Sequence, residues 1–147
     1  MANEPTPIEI EDDEILYRRI PVSKRWYDGK TIYPEAFEPR PDEHSGISLF
    51  RARFRTLEEV AKGKAKQGYY VASLRVSDLL HVGIKVKPRP DTPDGWDEAH
   101  VEIPGLNSGN RQSNEAEELQ SQLAEIAGRL KVEGPFVKLN EPDAKPL

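Results

Sequence analysis

The segment Tyr69-Tyr-Val-Ala-Ser-Leu-Arg-Val76 places Tyr70, Ala72, Leu74 and Val76 at every second position. A period of two presents them on one side of a strand and scatters them around a helix, so the segment is a strand with one apolar face. A chain built around such a strand must supply partners for its ladder and a cover for that face.

Ile15-Leu-Tyr-Arg-Arg-Ile20 puts Leu16, Arg18 and Ile20 on one side and Ile15, Tyr17 and Arg19 on the other. It reads as an inner strand with an arginine on each face, stopped by Pro21. Asp28-Gly29 predicts a tight turn from Trp26-Tyr27 into a short strand over 31–33. Gly46 opens a strand over 47–54. Ile84 and Val86 alternate with Lys85 and Lys87 as a half-exposed strand, followed by a proline-rich loop over 88–95. In His100-Val-Glu-Ile103, Val101 and Ile103 face inward and His100 and Glu102 take the opposite face.

The cover comes from helices. Pro34 to Phe37 suits a single helical turn, because proline is tolerated at a helix start. Thr56 and Glu59 form a capping-box pattern that predicts a short helix to about Lys66, closed by Gly68. Ser77 caps a one- or two-turn helix ending at Gly83. The best helix starts at a second capping-box pattern, Asn114 and Glu117, carries Ala116, Leu119, Leu123, Ile126, Ala127 and Leu130 as one apolar stripe, and is stopped by Gly134-Pro135. Its acidic start at Glu115, Glu117 and Glu118 and basic end at Arg129 and Lys131 suit the helix dipole. No βαβ rhythm repeats. The expected fold is therefore α+β: a mainly antiparallel, curved sheet packed with a C-terminal amphipathic helix and one or two short helices. One domain is expected over 14–137, between a disordered, acidic, proline-containing lead-in over 1–13 and a flexible tail over 138–147.

Composition excludes several classes. With no cysteine in 147 residues there is no disulfide framework, thiolate metal site or cysteine nucleophile, which points to a reducing, cytoplasmic setting. No stretch has the ~20 apolar residues of a membrane span, and the N-terminus lacks the pattern of a signal peptide. A net charge of −5 argues against nucleic acid as the main ligand.

Phosphate-binding glycine loops, zincin helices, calcium loops and nucleophile elbows are absent. Asp42-Glu-His44 and His100-Val-Glu102 are the places where histidine has close carboxylates, but neither has metal-ligand spacing, so no metal is expected. His81 reads as a helix-end residue. Arg51, Arg53 and Arg55 alternate on one side of the 47–54 strand, either as charges protecting a sheet edge or as phosphate contacts. Trp26, Tyr27, Tyr33 and Trp96 lie beside prolines and form either a docking surface for a partner protein or anchors that hold loops to the core.

Two resemblances follow from these residues. Leu16-Tyr-Arg-Arg-Ile20, Phe37 followed by Asp42 and Gly46-Ile-Ser48, Tyr70-Val-Ala-Ser73, Gly83-Ile-Lys-Val86 and His100-Val-Glu-Ile103 resemble a group of small uncharacterised bacterial proteins over residues 14–135. That resemblance implies a bacterial or phage-related accessory protein and no particular activity. Arg18, Ser48 and Glu102 also occur in the order seen in ADP-ribosyltransferase-like domains, including the RES type. There the arginine would hold the phosphates of NAD, the serine would position the nicotinamide ribose and the glutamate would stabilise the developing positive charge. This chain lacks the Ser-Thr-Ser run and the paired glutamates of that family.

The sequence thus predicts a small cytosolic interaction or accessory protein with a protein partner, no cofactor and no catalytic activity of its own. The alternative is an NAD-using enzyme built on Arg18, Ser48 and Glu102. A nucleic-acid-binding protein ranks third.

Overall fold

The computed structural model describes residues 6–41, 43, 46–62, 67–106 and 113–137. Six strands form one sheet: β1 (Ile15–Pro21), β2 (Ile47–Arg51), β3 (Tyr69–Arg75), β4 (Lys87–Pro88), β7 (His100–Ile103) and β8 (Glu133–Phe136). Their order is β4-β7-β2-β1-β3-β8, with every neighbouring pair antiparallel. A separate hairpin joins β5 (Asp91–Thr92) to β6 (Gly95–Trp96). The helices are α1 (Leu57–Val60), α2 (Val76–His81) and α3 (Asn114–Ala127), with a 3-10 turn at Pro34–Phe37. This is the expected α+β class with a mainly antiparallel sheet, and the sheet does not close into a barrel.

The alternation read from the sequence decides which face is covered. Leu16, Ile20, Leu49, Ala72, Leu74, Val101 and Ile103 point to one side, where α3 and the 3-10 turn supply Phe37, Ala116, Leu123, Ile126 and Ala127. Each such buried side chain contributes roughly 1.5–3 kcal/mol over an exposed one. The opposite face carries a smaller cluster, in which Val60, Ala61 and Leu57 from around α1 cover Tyr17, Phe50, Tyr69, Val71 and Phe136. The rest of that face, including Ser48, His100 and Glu102, is half-buried and polar.

Several local expectations are corrected. β2 ends at Arg51, because the chain turns over 52–54, and it lies between β1 and β7 rather than at an edge. The arginine row therefore does not exist. Arg51 is fully buried against Glu14, Arg53 is exposed, and Arg55 pairs with Asp97 at 2.8 Å. The helix after β3 begins directly at Val76, and Ser77 lies inside its first turn. The cap of α3 is Ser113, whose Oγ accepts from the Ala116 N–H at 3.1 Å; the box read at Asn114 is displaced by one residue. Gly134-Pro135 does not stop a helix but lies in β8. The 31–33 strand is reduced to one bridge between Tyr27 and Ile32, and of the 84–87 strand only Lys87 joins the sheet, paired next to Pro88 in β4. The capping box at Thr56 and Glu59 is present as read, but the helix it starts is one turn that ends at Val60 with Ala61 as its C-cap, short of the expected end near Lys66; residues 63–66 lie outside the described residues.

Residues 8–14 carry contacts that the acidic composition of the lead-in does not announce. Arg51 donates to the carbonyls of Ile8 and Glu9, Ser77 N–H donates to the Asp12 carbonyl, and Ile10 packs on the core. A buried arginine needs more acceptors than one carboxylate offers, and these backbone carbonyls supply them. The 138–147 tail lies outside the described residues.

Candidate functional site

β1 and β3 run in register over seven pairs, but β1 and β2 share only Leu16 with Arg51 and Tyr17 with Phe50. Past Tyr17 the carbonyl of Ser48 is bonded by a side chain: Arg18 Nη1 donates to it at 3.0 Å. The same Nη1 donates to Glu43 Oε2 at 2.8 Å, and the rest of the guanidinium reaches the carbonyls of Ala36 and Glu38 at 3.4 Å each. Arg18 is 1% exposed and Glu43 8%. Glu43 also accepts from the backbone N–H groups of Arg40 and Ser48, both at 2.8 Å. Burial pushes the Glu43 carboxyl up, but the charge and hydrogen bonds of Arg18 and the two backbone donors outweigh it and hold the group below its ordinary value. Gly46 permits this path, since a Cβ there would sit 2.7 Å from the Ile103 carbonyl oxygen.

Beside this pair lies a cavity of about 150 Å³ lined by Arg18, Arg19, Arg40, Glu43, Ser48 and Phe50. Arg19 donates to the carbonyls of Val60 and Lys62 and stacks on Tyr69. Arg40 donates to the Arg19 carbonyl at 3.3 Å and lies over the Trp26 ring. Among the described residues no carboxylate is within ion-pair distance of either guanidinium. Among the described lining residues, three positive charges thus face one negative charge in a small space. Burial, together with the charges of Arg18 and Arg19, pushes the Arg40 guanidinium down to about 10, against the opposing attraction of Glu43.

Ser48 also takes part in a second arrangement. Its Oγ is 3.0 Å from His100 Nε2, and His100 Nδ1 is 2.6 Å from the Arg89 carbonyl. A carbonyl oxygen only accepts, so Nδ1 carries a proton, and in the neutral ring Nε2 accepts from the serine hydroxyl. The sheet makes this possible: Phe50 is paired with His100 and Ser48 with Glu102 on one face, so His100 reaches Ser48 diagonally.

The residues singled out in the sequence fall in different places. Ser48 and Glu102 are direct cross-strand partners, and Glu102 pairs with Arg89 at 3.4 Å. Arg18 lies on the core side of β1 and shares the cavity with Ser48; Glu102 is not among the residues lining it. Trp26 and Tyr27 are half-buried, with Tyr27 edge-on to Tyr70 at 4.8 Å, and Tyr33 donates to Asp28 at 2.7 Å. Trp96 stands on the β5–β6 hairpin, 45% exposed, and donates to Glu98. Loop anchoring thus describes Trp26 and Tyr27, while Trp96 remains open to solvent. Asp42 and His44 lie outside the described residues; Glu43 between them is the partner of Arg18. Among the described residues no cluster of metal-ligating side chains occurs, and no helix is long and apolar enough to cross a membrane.

Sequence reasoning missed Arg40, Glu43 as an ion-pair partner, and the link from Ser48 to His100. The signal for the first two was the arginine placed on the inward face of an inner strand, which requires a buried acceptor. Compared with known proteins, the chain matches no family model, no curated protein and no solved structure.

Proposed function

We propose that this protein is an interaction protein that anchors a partner protein through an anionic group held in the cavity between β1 and β2. The observation that carries this reading is that Arg19 and Arg40 line the cavity with no carboxylate partner among the described residues, beside a buried arginine that already has one. Guanidinium groups match carboxylate and phosphoryl oxygens with paired donors, and arginine clusters are a recurrent means of gripping acidic or phosphorylated segments. The cavity volume, about 150 Å³, is below the roughly 300 Å³ at which pockets enclose whole small ligands, which favours one group of a larger partner. Arg40 also lies over the Trp26 ring, which holds that guanidinium in place. The net charge of −5 favours a protein partner over nucleic acid.

The test is titration of the labelled protein with sulfate at constant ionic strength, followed by NMR. Saturable shifts centred on Arg19, Arg40, Ser48 and Phe50 support the reading. Uniform, unsaturable shifts of the kind chloride produces contradict it.

A second reading, the NAD-using enzyme, is favoured by the cross-strand pairing of Ser48 with Glu102 next to the arginines. Release of nicotinamide from NAD that disappears in both Glu102→Gln and Arg18→Ala would establish it in place of the first.

A further inference from the structure

The serine, the histidine and the backbone carbonyl behind it form a chain of two hydrogen bonds that ends in the arginine cavity. We propose that Ser48 is a nucleophile activated by His100, and that the site transfers acyl groups from esters that carry a negative charge of their own. This goes beyond the anchoring role, which needs no reactive group.

The geometry has the parts that such chemistry requires. A serine hydroxyl is a weak nucleophile until a base within hydrogen-bond reach takes its proton, and the base works only if a third group fixes its ring and tautomer. Here Ser48 Oγ stands 3.0 Å from His100 Nε2, and the Arg89 carbonyl, 2.6 Å from Nδ1, holds the proton on the far nitrogen. The ring is steadied further by Phe50, whose centroid is 5.8 Å away, and by the backbone of the β4–β7 edge, where Arg89 N–H donates to the His100 carbonyl at 2.9 Å. Arg19 and Arg40 line the cavity that Ser48 also lines, and guanidinium groups stabilise charge that develops on a carbonyl oxygen. Glu43, the carboxylate among the described lining residues, is committed to Arg18 and two backbone donors and so does not compete for an anionic substrate.

The reaction balances as an ester hydrolysis. Ser48 Oγ bonds to the carbonyl carbon as its proton moves to His100 Nε2. The tetrahedral adduct collapses, the bond from carbon to the leaving oxygen breaks, and His100 returns that proton to the departing alcohol. Water then attacks the acyl-serine, giving its proton to His100, and the carboxylic acid leaves as Ser48 regains its hydrogen. Ester and water become acid and alcohol, with no other reactant.

Two measurements on the full chain test this. The first is reaction with diisopropyl fluorophosphate, mapped by mass spectrometry. The expected result is one adduct per chain, on Ser48, falling at least about 100-fold in rate in His100→Gln and absent in Ser48→Ala. A protein that stays unmodified, or that is modified at Ser48 equally well without His100, overturns the nucleophile. The second compares 4-nitrophenyl hemisuccinate with 4-nitrophenyl butyrate. The anionic ester should turn over at least about 10-fold faster, and Arg40→Gln should slow it more than it slows the butyrate, bringing the ratio of the two rates close to one. Equal rates overturn the substrate class. The fluorophosphate is uncharged, so its failure leaves the anion anchor standing, whereas an absent sulfate response with an intact Ser48 adduct would remove the anchor and keep the nucleophile.

Discussion

Arg18 and Glu43 form a buried ion pair of 2.8 Å that ties Glu43 to β1. The Glu43 carboxylate receives two bonds from Arg18 and one each from the backbone of Arg40 and Ser48, so it organises the cavity without facing a ligand as a free charge. Breaking one partner of such a pair leaves the other charge buried. Glu43→Gln should cost about 3–5 kcal/mol, read as a lower urea midpoint at pH 7.

The same pair predicts a pH dependence. The carboxyls of Glu43 and Glu14 are both held below their ordinary value: burial raises each, and the bonds and charges of Arg18 and of Arg51, with backbone donors, lower each further. A depressed folded value means that the unfolded chain binds protons first. The stabilisation is therefore complete above the unfolded carboxyl value of about 4.3 and declines as pH falls through the lower folded values. Urea unfolding from pH 7 to pH 3 should show this decline, and it should be shallower in Glu43→Gln. A wild-type stability that is flat across the range would contradict the assignment.

Arg51 and Arg53 should behave differently although they are two residues apart. Arg51 is fully buried and donates to both oxygens of Glu14 at 2.8 and 2.6 Å. Arg51→Ala strands that carboxylate and two backbone carbonyls and should cost about 3–5 kcal/mol. Arg53 makes only long contacts at an exposed position, so Arg53→Ala should stay within about 0.5 kcal/mol. Similar losses for both would restore the surface row expected from their alternation.

Leu123 is fully buried where α3 crosses the sheet. Leu123→Ala should cost about 2–5 kcal/mol, and hydrogen exchange should find α3 among the protected elements. An unprotected α3 would mean that its stripe covers something other than this core.

These residues also show what was legible in the sequence. Period-two alternation identified β1, β3 and β7 and their buried faces, because burial on one side of a sheet leaves a local trace at every second position. The stripe of α3 did the same at helical spacing as far as Ala127, where the helix ends; Leu130, Arg129 and Lys131 lie beyond its Gly128 cap. What the alternation did not convey is where a strand stops: Arg51, Arg53 and Arg55 keep the pattern, yet the chain turns after Arg51 to meet Glu14, a partner 37 residues earlier. β8 was hidden because Glu133-Gly-Pro-Phe136 has no strand composition and owes its place to pairing with β3. The candidate site was half legible. Arg18 and Ser48 were named, but Arg40 and Glu43 sit in a loop whose position depends on a buried ion pair, and His100 meets Ser48 through a register that only the assembled sheet defines.

Anion binding in the cavity between β1 and β2 is read most directly from a crystal grown or soaked with selenate and measured by anomalous diffraction. The account predicts a selenium peak in the cavity, with selenate oxygens at hydrogen-bond distance from the guanidiniums of Arg40 and Arg19, and loss of that peak in Arg40→Gln. A cavity without selenium, in crystals whose surface lysines and arginines do bind it, would contradict the account.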